Sequence, residues 1–550
     1  MTDAVLLADD YWSYHRSTSQ FWNIDRGDVD QIEHWEDLSV EALARRVDVL
    51  LDFERRAEGQ RSATVDAREL SLLGALSFSA GSLARTLPFA RDLTLVGAPF
   101  SVATFLSVLV PQYALVTREH GDGYLSKLAT LPAFIDGWIE GLRDGVACGR
   151  VATRRGILGA VAAFDRLLTY AASEHPLARQ EPPRELGGAA TERWHSDVVD
   201  RIERVVQPAL ARLGAFLSGE LMPLGRDDDR AGVCHIQGGD EGYSALLWAA
   251  TSTRLRPAEV HQLGIEQLGE LDNEYSALGS TVLGVADPVQ LRRRLRDDPS
   301  LNYSTADEII RDAMATLDRA EAEAPRWFSR LPLSRCTAVA TDGGPMAYYT
   351  APSPDGARGG TFYFRIGDPS AWKRYQLEVT TFHESVPGHH LQVALAGESN
   401  LHPILGELEV ASYGEGWGLY AERLADEMGL YSSPLQRLGM LTLDSLRAAR
   451  LVVDTGIHAF GWTRKRAIDF LVRHTTLDRS NASGEIDRYI ADPGQATSYM
   501  IGRLELERIR RRTHQRLGPR FDLGQFHDAV LANGMTPLDE LARSIDTLGT

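Results

Sequence analysis

Within the eight residues from 383 to 390 the chain places three histidines and a glutamate: His383-Glu384-Ser385-Val386-Pro387-Gly388-His389-His390. The whole chain has only 15 histidines, so this is a concentration of lone pairs suited to a transition metal, and the stretch reads as a zinc site. A His-Glu-x-x-His spacing would put two imidazoles on one face of a helix, about 6 Å apart along its axis, with the glutamate beside the water. Here the position four after His383 is Pro387, and the later histidines stand six and seven residues on. In an unbroken helix His389 and His390 would rise about 9 and 10.5 Å from His383, too far to share one ion. The chain is therefore expected to interrupt its helix at Pro387-Gly388. Proline removes a donor there and glycine accepts unusual dihedrals, so a bulge can bring a later histidine back to the metal. Either His389 or His390 satisfies that reading. Glu384, beside His383, is the candidate general base.

A catalytic zinc takes three protein ligands and keeps a position open. Glu415, which opens an amphipathic helix in Tyr413-Gly414-Glu415-Gly416-Trp417-Gly418-Leu419-Tyr420-Ala421-Glu422, is the expected third ligand of one zinc per chain. Glu422 lies on the same helix face and reads as a partner behind a ligand or as an ion pair. Amide hydrolysis also needs a donor for the oxyanion from outside the zinc helix. Tyr499, in Pro493-Gly494-Gln495-Ala496-Thr497-Ser498-Tyr499, and His458, in Asp454-Thr455-Gly456-Ile457-His458, are the candidates. Arg503 has the planar fork for a substrate carboxylate, or it pairs with Glu505 or Glu507.

The surroundings of these segments read as helical. Apolar residues recur at three- and four-residue steps from Ser39 to about Leu168 and again from Trp194 to Leu217, and Pro257 opens a further helix towards Leu278. His261 on that helix is a face residue, and Gly238-Gly239 lacks the flanking residues of a phosphate loop and reads as a tight turn. The window Leu93 to Val110, interrupted by Pro99, reads as a buried helix pair. Only Met346–Thr350 and Gly360–Ile366, separated by Pro352-Ser353-Pro354-Asp355-Gly356, carry a β pattern. Such a hairpin can hold an extended small peptide across the metal, which makes Tyr349 and Tyr363 substrate-binding candidates.

A net charge of −18 argues against nucleic acid and membrane as partners. The three scattered cysteines, Cys148, Cys234 and Cys336, read as thiols of a reducing compartment, and the first ten residues lack the basic start and apolar run of a signal peptide. A cytoplasmic location is the expectation, and a homodimer is left open.

The segments 383–392, 413–422 and 493–503 together resemble the bacterial domain-of-unknown-function family numbered 885. That family is similar to the Taq-type thermostable zinc carboxypeptidases and, more distantly, to thimet oligopeptidase and angiotensin-converting enzyme. The resemblance implies a mostly α, elongated, zincin-like metallopeptidase fold, with a substrate channel between two helical halves and a small hairpin or sheet beside the metal helix. It implies one domain over 1–550, in which 1–330 form a mainly helical lobe and 331–550 the metal-bearing lobe. It assigns His383 and Glu415 as ligands and Glu384 as base, and it favours His389 over His390, because Gly388-His389 is similar to the Gly-His that ends the peptidase motif. Ser498-Tyr499-Met500-Ile501-Gly502 is similar to a Thr-Tyr-x-Leu-Gly segment of the carboxypeptidases. The activity implied is hydrolysis of short peptides. A metal-dependent amidase or esterase, and an inactive helical scaffold, are the competing readings.

Overall fold

The computed structural model describes residues 2–19, 29, 31–64, 66–94, 96–97, 101–352 and 358–549. Ser39 accepts the amide of Ala42 and caps α1 (Val40–Arg61), as its periodicity predicts. Asp66 likewise caps α2 (Ala67–Phe89). The span Ala67–Leu93 is long and apolar enough to cross a membrane, yet 72% of its most apolar window is buried, as in a core helix. Part of the Leu93–Val110 window, including Pro99, lies outside the described residues; Val96, Val102, Leu106 and Val110 are buried.

Pro257 occupies the first turn of α3 (Pro257–Val282). On it His261 bonds Thr455 Oγ1 through Nδ1 at 2.8 Å and packs edge-on against Phe460 and Trp462, a face residue as expected. The β pattern resolves into three strands where two were expected: β1 (Thr337–Thr341), β2 (Ala347–Thr350) and β3 (Thr361–Arg365), in the order β1-β3-β2. β2 and β3 form the expected antiparallel hairpin, with Tyr348 opposite Tyr363, and β1 adds in parallel to β3. The missed strand, Thr-Ala-Val-Ala-Thr, has too little apolar bulk to announce itself. Residues 353–356 of the expected turn lie outside the described residues.

After the sheet come α4 (Leu377–Glu384), α5 (His389–Gly397), α6 (Ala411–Glu427), α7 (Pro434–His458), α8 (Arg479–Ala491) and α9 (Ser498–Leu517). The protein is mostly helical, with this one small sheet. One apolar core joins residues from Ile32 to Tyr243. Another joins Val260, Leu268, Leu271 and Tyr275 of α3 to Ala448, Leu451 and Val452 of α7, so packing runs across position 330. Each fully buried leucine or valine of this set contributes about 1.5–3 kcal/mol, which fixes α7 firmly against α3.

Candidate metal centre

α4 carries His383 and Glu384 in its last turn and stops at Ser385, whose amide still bonds Thr381 O at 2.9 Å. The chain then passes through Val386, Pro387 and Gly388, and α5 begins at His389. This is the interruption that the spacing demands. Two contacts hold it. The indole of Trp417 donates to Pro387 O at 3.0 Å, and a Cβ on Gly388 would fall 2.0 Å from His383 O and 2.4 Å from Phe382 O, so only glycine lets the bulge fold back on α4.

The fold-back sets the His383 and His389 rings 4.7 Å apart with planes at 85°. α6 supplies the third group. Glu415 Oε2 lies 3.5 Å from His383 Nε2 and 3.7 Å from His389 Nε2, and the ligand atoms of His383, His389 and Glu415 all fall within 4.8 Å of one another. α6 can come this close because Gly418 faces the His383 ring, where a Cβ would meet ring atoms at 2.6 Å. Gly416 and Gly502 do the same between α6 and α9. This explains the glycines at 416 and 418, beside Glu415.

Behind the cluster, Glu422 is fully buried and its Oε1 bonds His383 Nδ1 at 2.8 Å. That leaves Nε2 as the atom facing His389 and Glu415, the role of a carboxylate behind a metal-bound imidazole. Burial opposes charge on His383, but the bonds to Glu415 and Glu422 outweigh it and push its pKa up to about 10. Burial acts against charge on Glu415 as well, and the two imidazoles hold it well below the usual carboxylate range. The pocket thus already stabilises positive charge among anionic and lone-pair donors, which is what a dication in place of the protons requires. Two imidazoles and a carboxylate are a donor set that fits zinc.

Tyr499, at the start of α9, is half-buried close enough for the Glu415 charge to act on its hydroxyl. Burial first, and that charge second, raise its pKa to about 12, so it is a donor at neutral pH. Arg447 and Arg450 of α7 lie 5.8 and 4.6 Å from its ring centre. The sequence reading missed both. Their signal was charge at 444, 447 and 450 within a buried, largely apolar stretch of the helix.

Other candidates lie elsewhere. His390, the alternative ligand, is turned away: Nδ1 bonds Tyr349 Oη at 3.1 Å and Nε2 bonds Ser334 O at 3.0 Å. Tyr349 is thereby engaged with His390, and Tyr363 stacks on Tyr348 at 4.8 Å across the hairpin. No contact between Tyr363 and the cluster is seen among the described residues. His458 is fully buried with both nitrogens bonded to backbone, to Val233 N at 3.2 Å and Tyr489 O at 3.0 Å. It is a core histidine far from any role on a substrate carbonyl. Arg503 is 4% exposed, donates to Asp444 Oδ2 and Gln267 Oε1 at 3.0 Å each, and lies 3.6 Å from Glu507. Its ion pair with Asp444 holds α9 against α7 beneath an open groove of about 710 Å³.

The chain belongs to the family described as bacterial protein of unknown function (DUF885), whose profile matches residues 22–545. Among curated proteins none matches. Two solved structures share the fold over nearly their whole length. A protein from Colwellia psychrerythraea described as a candidate lipoprotein aligns over 99% of this chain and 98% of its own, with TM-score 0.87 and 24% identity. A candidate lipoprotein of unknown function from Shewanella oneidensis aligns over 99% of both, with TM-score 0.78 and 16% identity. The expected cytoplasmic location gains no support from these two descriptions. PZ peptidase A, solved with an inhibitor, aligns over 93% of this chain at a TM-score of 0.32, too distant to bear on fold or function.

Proposed function

For this member of the DUF885 family we propose a zinc-dependent hydrolase of zincin-like type, cleaving peptide bonds of short peptides. The observation that carries the reading is the meeting of His383 Nε2, His389 Nε2 and Glu415 within 4.8 Å, with Glu384 next to the first of them. Zinc bound there would supply Lewis-acid polarisation of the scissile carbonyl and a lowered pKa for the attacking water.

The chain's own residues do the rest. Glu384, partly open to solvent at the end of α4, takes the proton of the attacking water and returns it to the amine as the C–N bond breaks. Tyr499 donates its hydroxyl proton in a hydrogen bond to the carbonyl oxygen as charge builds there. Glu422 keeps His383 in the tautomer whose Nε2 is free to ligate. β2 forms one edge of the sheet and can align an extended peptide by main-chain hydrogen bonds.

The test is elemental analysis beside a digest of a mixed peptide library. About one zinc per chain, and cleavage that disappears in Glu384→Gln while the zinc stays, is the expected result. A purified protein that takes up no zinc at micromolar concentration would overturn the reading.

A further inference from the structure

Two arginines three residues apart on α7 share their burial and their neighbour but differ in their partners. Both are 8% exposed and both lie against the Tyr499 ring. Arg450 is fully engaged: Nε donates to Tyr489 Oη at 2.8 Å and a terminal nitrogen to Glu485 Oε2 at 2.9 Å. Arg447 makes no side-chain hydrogen bond among the described residues, and its Nε is buried without a partner. It forms an ion pair with Glu422 Oε1 at 3.5 Å, but makes no hydrogen bond to that oxygen, which bonds His383. Glu422 offsets its charge, yet a buried guanidinium with unspent donors still gains from a second acceptor that hydrogen-bonds it.

Resting on the peptidase reading, we propose that Arg447 receives the terminal carboxylate of the substrate, so that the protein removes residues one at a time from the C-terminus. The position suits that task. A terminal carboxylate stands about one residue, roughly 3.3–3.6 Å of extended chain, beyond the last scissile carbonyl. Its receptor therefore belongs among the immediate neighbours of the metal cluster. Arg447 is one, in contact with Glu422 and the Tyr499 ring, whereas Arg503 is tied to Asp444. The fork of a guanidinium matches a carboxylate with two parallel bonds.

The experiment compares three N-blocked peptides of one sequence on the zinc-loaded protein: the free acid, its C-terminal amide, and an amide whose last residue is glutamate. Cleavage is measured on the wild type, and binding by calorimetry on Glu384→Gln. The free acid is expected to be cleaved and bound about 10- to 100-fold better than either amide, the range of a charge-assisted bond. Arg447→Ala should abolish the difference through KM with zinc content unchanged, and Arg447→Lys should restore part of it. Equal cleavage of acid and plain amide would leave the peptidase standing and overturn the clamp. A glutamyl amide matching the free acid would also overturn it, because the arginine would then read a side chain. If the zinc-loaded protein neither cleaves nor binds any of the three, the peptidase reading fails and the clamp with it.

Discussion

His383 and His458 both sit at the C-terminal end of a helix, both are buried, and both have an acidic residue close by in sequence, yet the protein uses them in opposite ways. Around His383 the ring nitrogens meet carboxylates, Glu422 at Nδ1 and Glu415 at Nε2, and its pKa is pushed up to about 10. Around His458 they meet an amide hydrogen and a carbonyl, and burial drives its pKa down to about 3. Its sequence neighbour Asp454 bonds Tyr243 and the Gly494 amide instead. The first environment favours a positively charged ring and the second a neutral one. What separates them is the chemistry of partners that arrive from other helices.

Removing a ligand from the first site should have the largest effect. His389→Ala or Glu415→Ala should each lose the zinc and all cleavage, whereas His458→Leu should keep the zinc; elemental analysis of the folded variants decides this. Glu422→Gln sharpens the comparison by changing only the group behind His383. Zinc affinity in a chelator competition should fall about 10- to 100-fold, with the fold unchanged by circular dichroism.

The second site predicts a pH effect with a definite sign. His458 is neutral when folded down to about pH 3, while the unfolded chain protonates near pH 6.5. Its contribution is therefore complete above pH 6.5 and is lost as pH falls towards 3, by about 1.4 kcal/mol per unit. Urea denaturation of wild type and His458→Leu should show a stability gap that narrows as pH falls through this window. Asp454, raised to about 7 mainly by burial, shifts stability the opposite way but equally in both proteins. The smallest change expected is His390→Phe. It removes bonds to Tyr349 and Ser334, should cost about 1 kcal/mol in the same assay, and should leave zinc content intact.

Much of the centre was legible along the chain. The step from His383 to Pro387 forced a helix break, and Gly388 made the fold-back sterically possible. Beyond that range the reading failed at particular residues. His390 and His389 are adjacent in sequence, but successive positions on a helix point about 100° apart, so only one of them can face α6. His458 and Arg503 showed the right functional groups, and their partners on other helices could not be read from spacing. Arg447 drew no notice because an arginine on an amphipathic helix becomes informative only when its neighbours are known.

The sequence by itself determined the helical character, the side chains of the candidate centre and the interruption that lets two histidines meet, because these depend on residue types and on sterics within a few residues. Only the tertiary structure decided that Glu422 backs His383, that His458 is held neutral, and that the Arg447 Nε is left without a hydrogen-bond partner among the described residues. Those outcomes follow from how closely α6, α7 and α9 cross, which glycine contacts and a shared apolar core set between residues far apart in the chain.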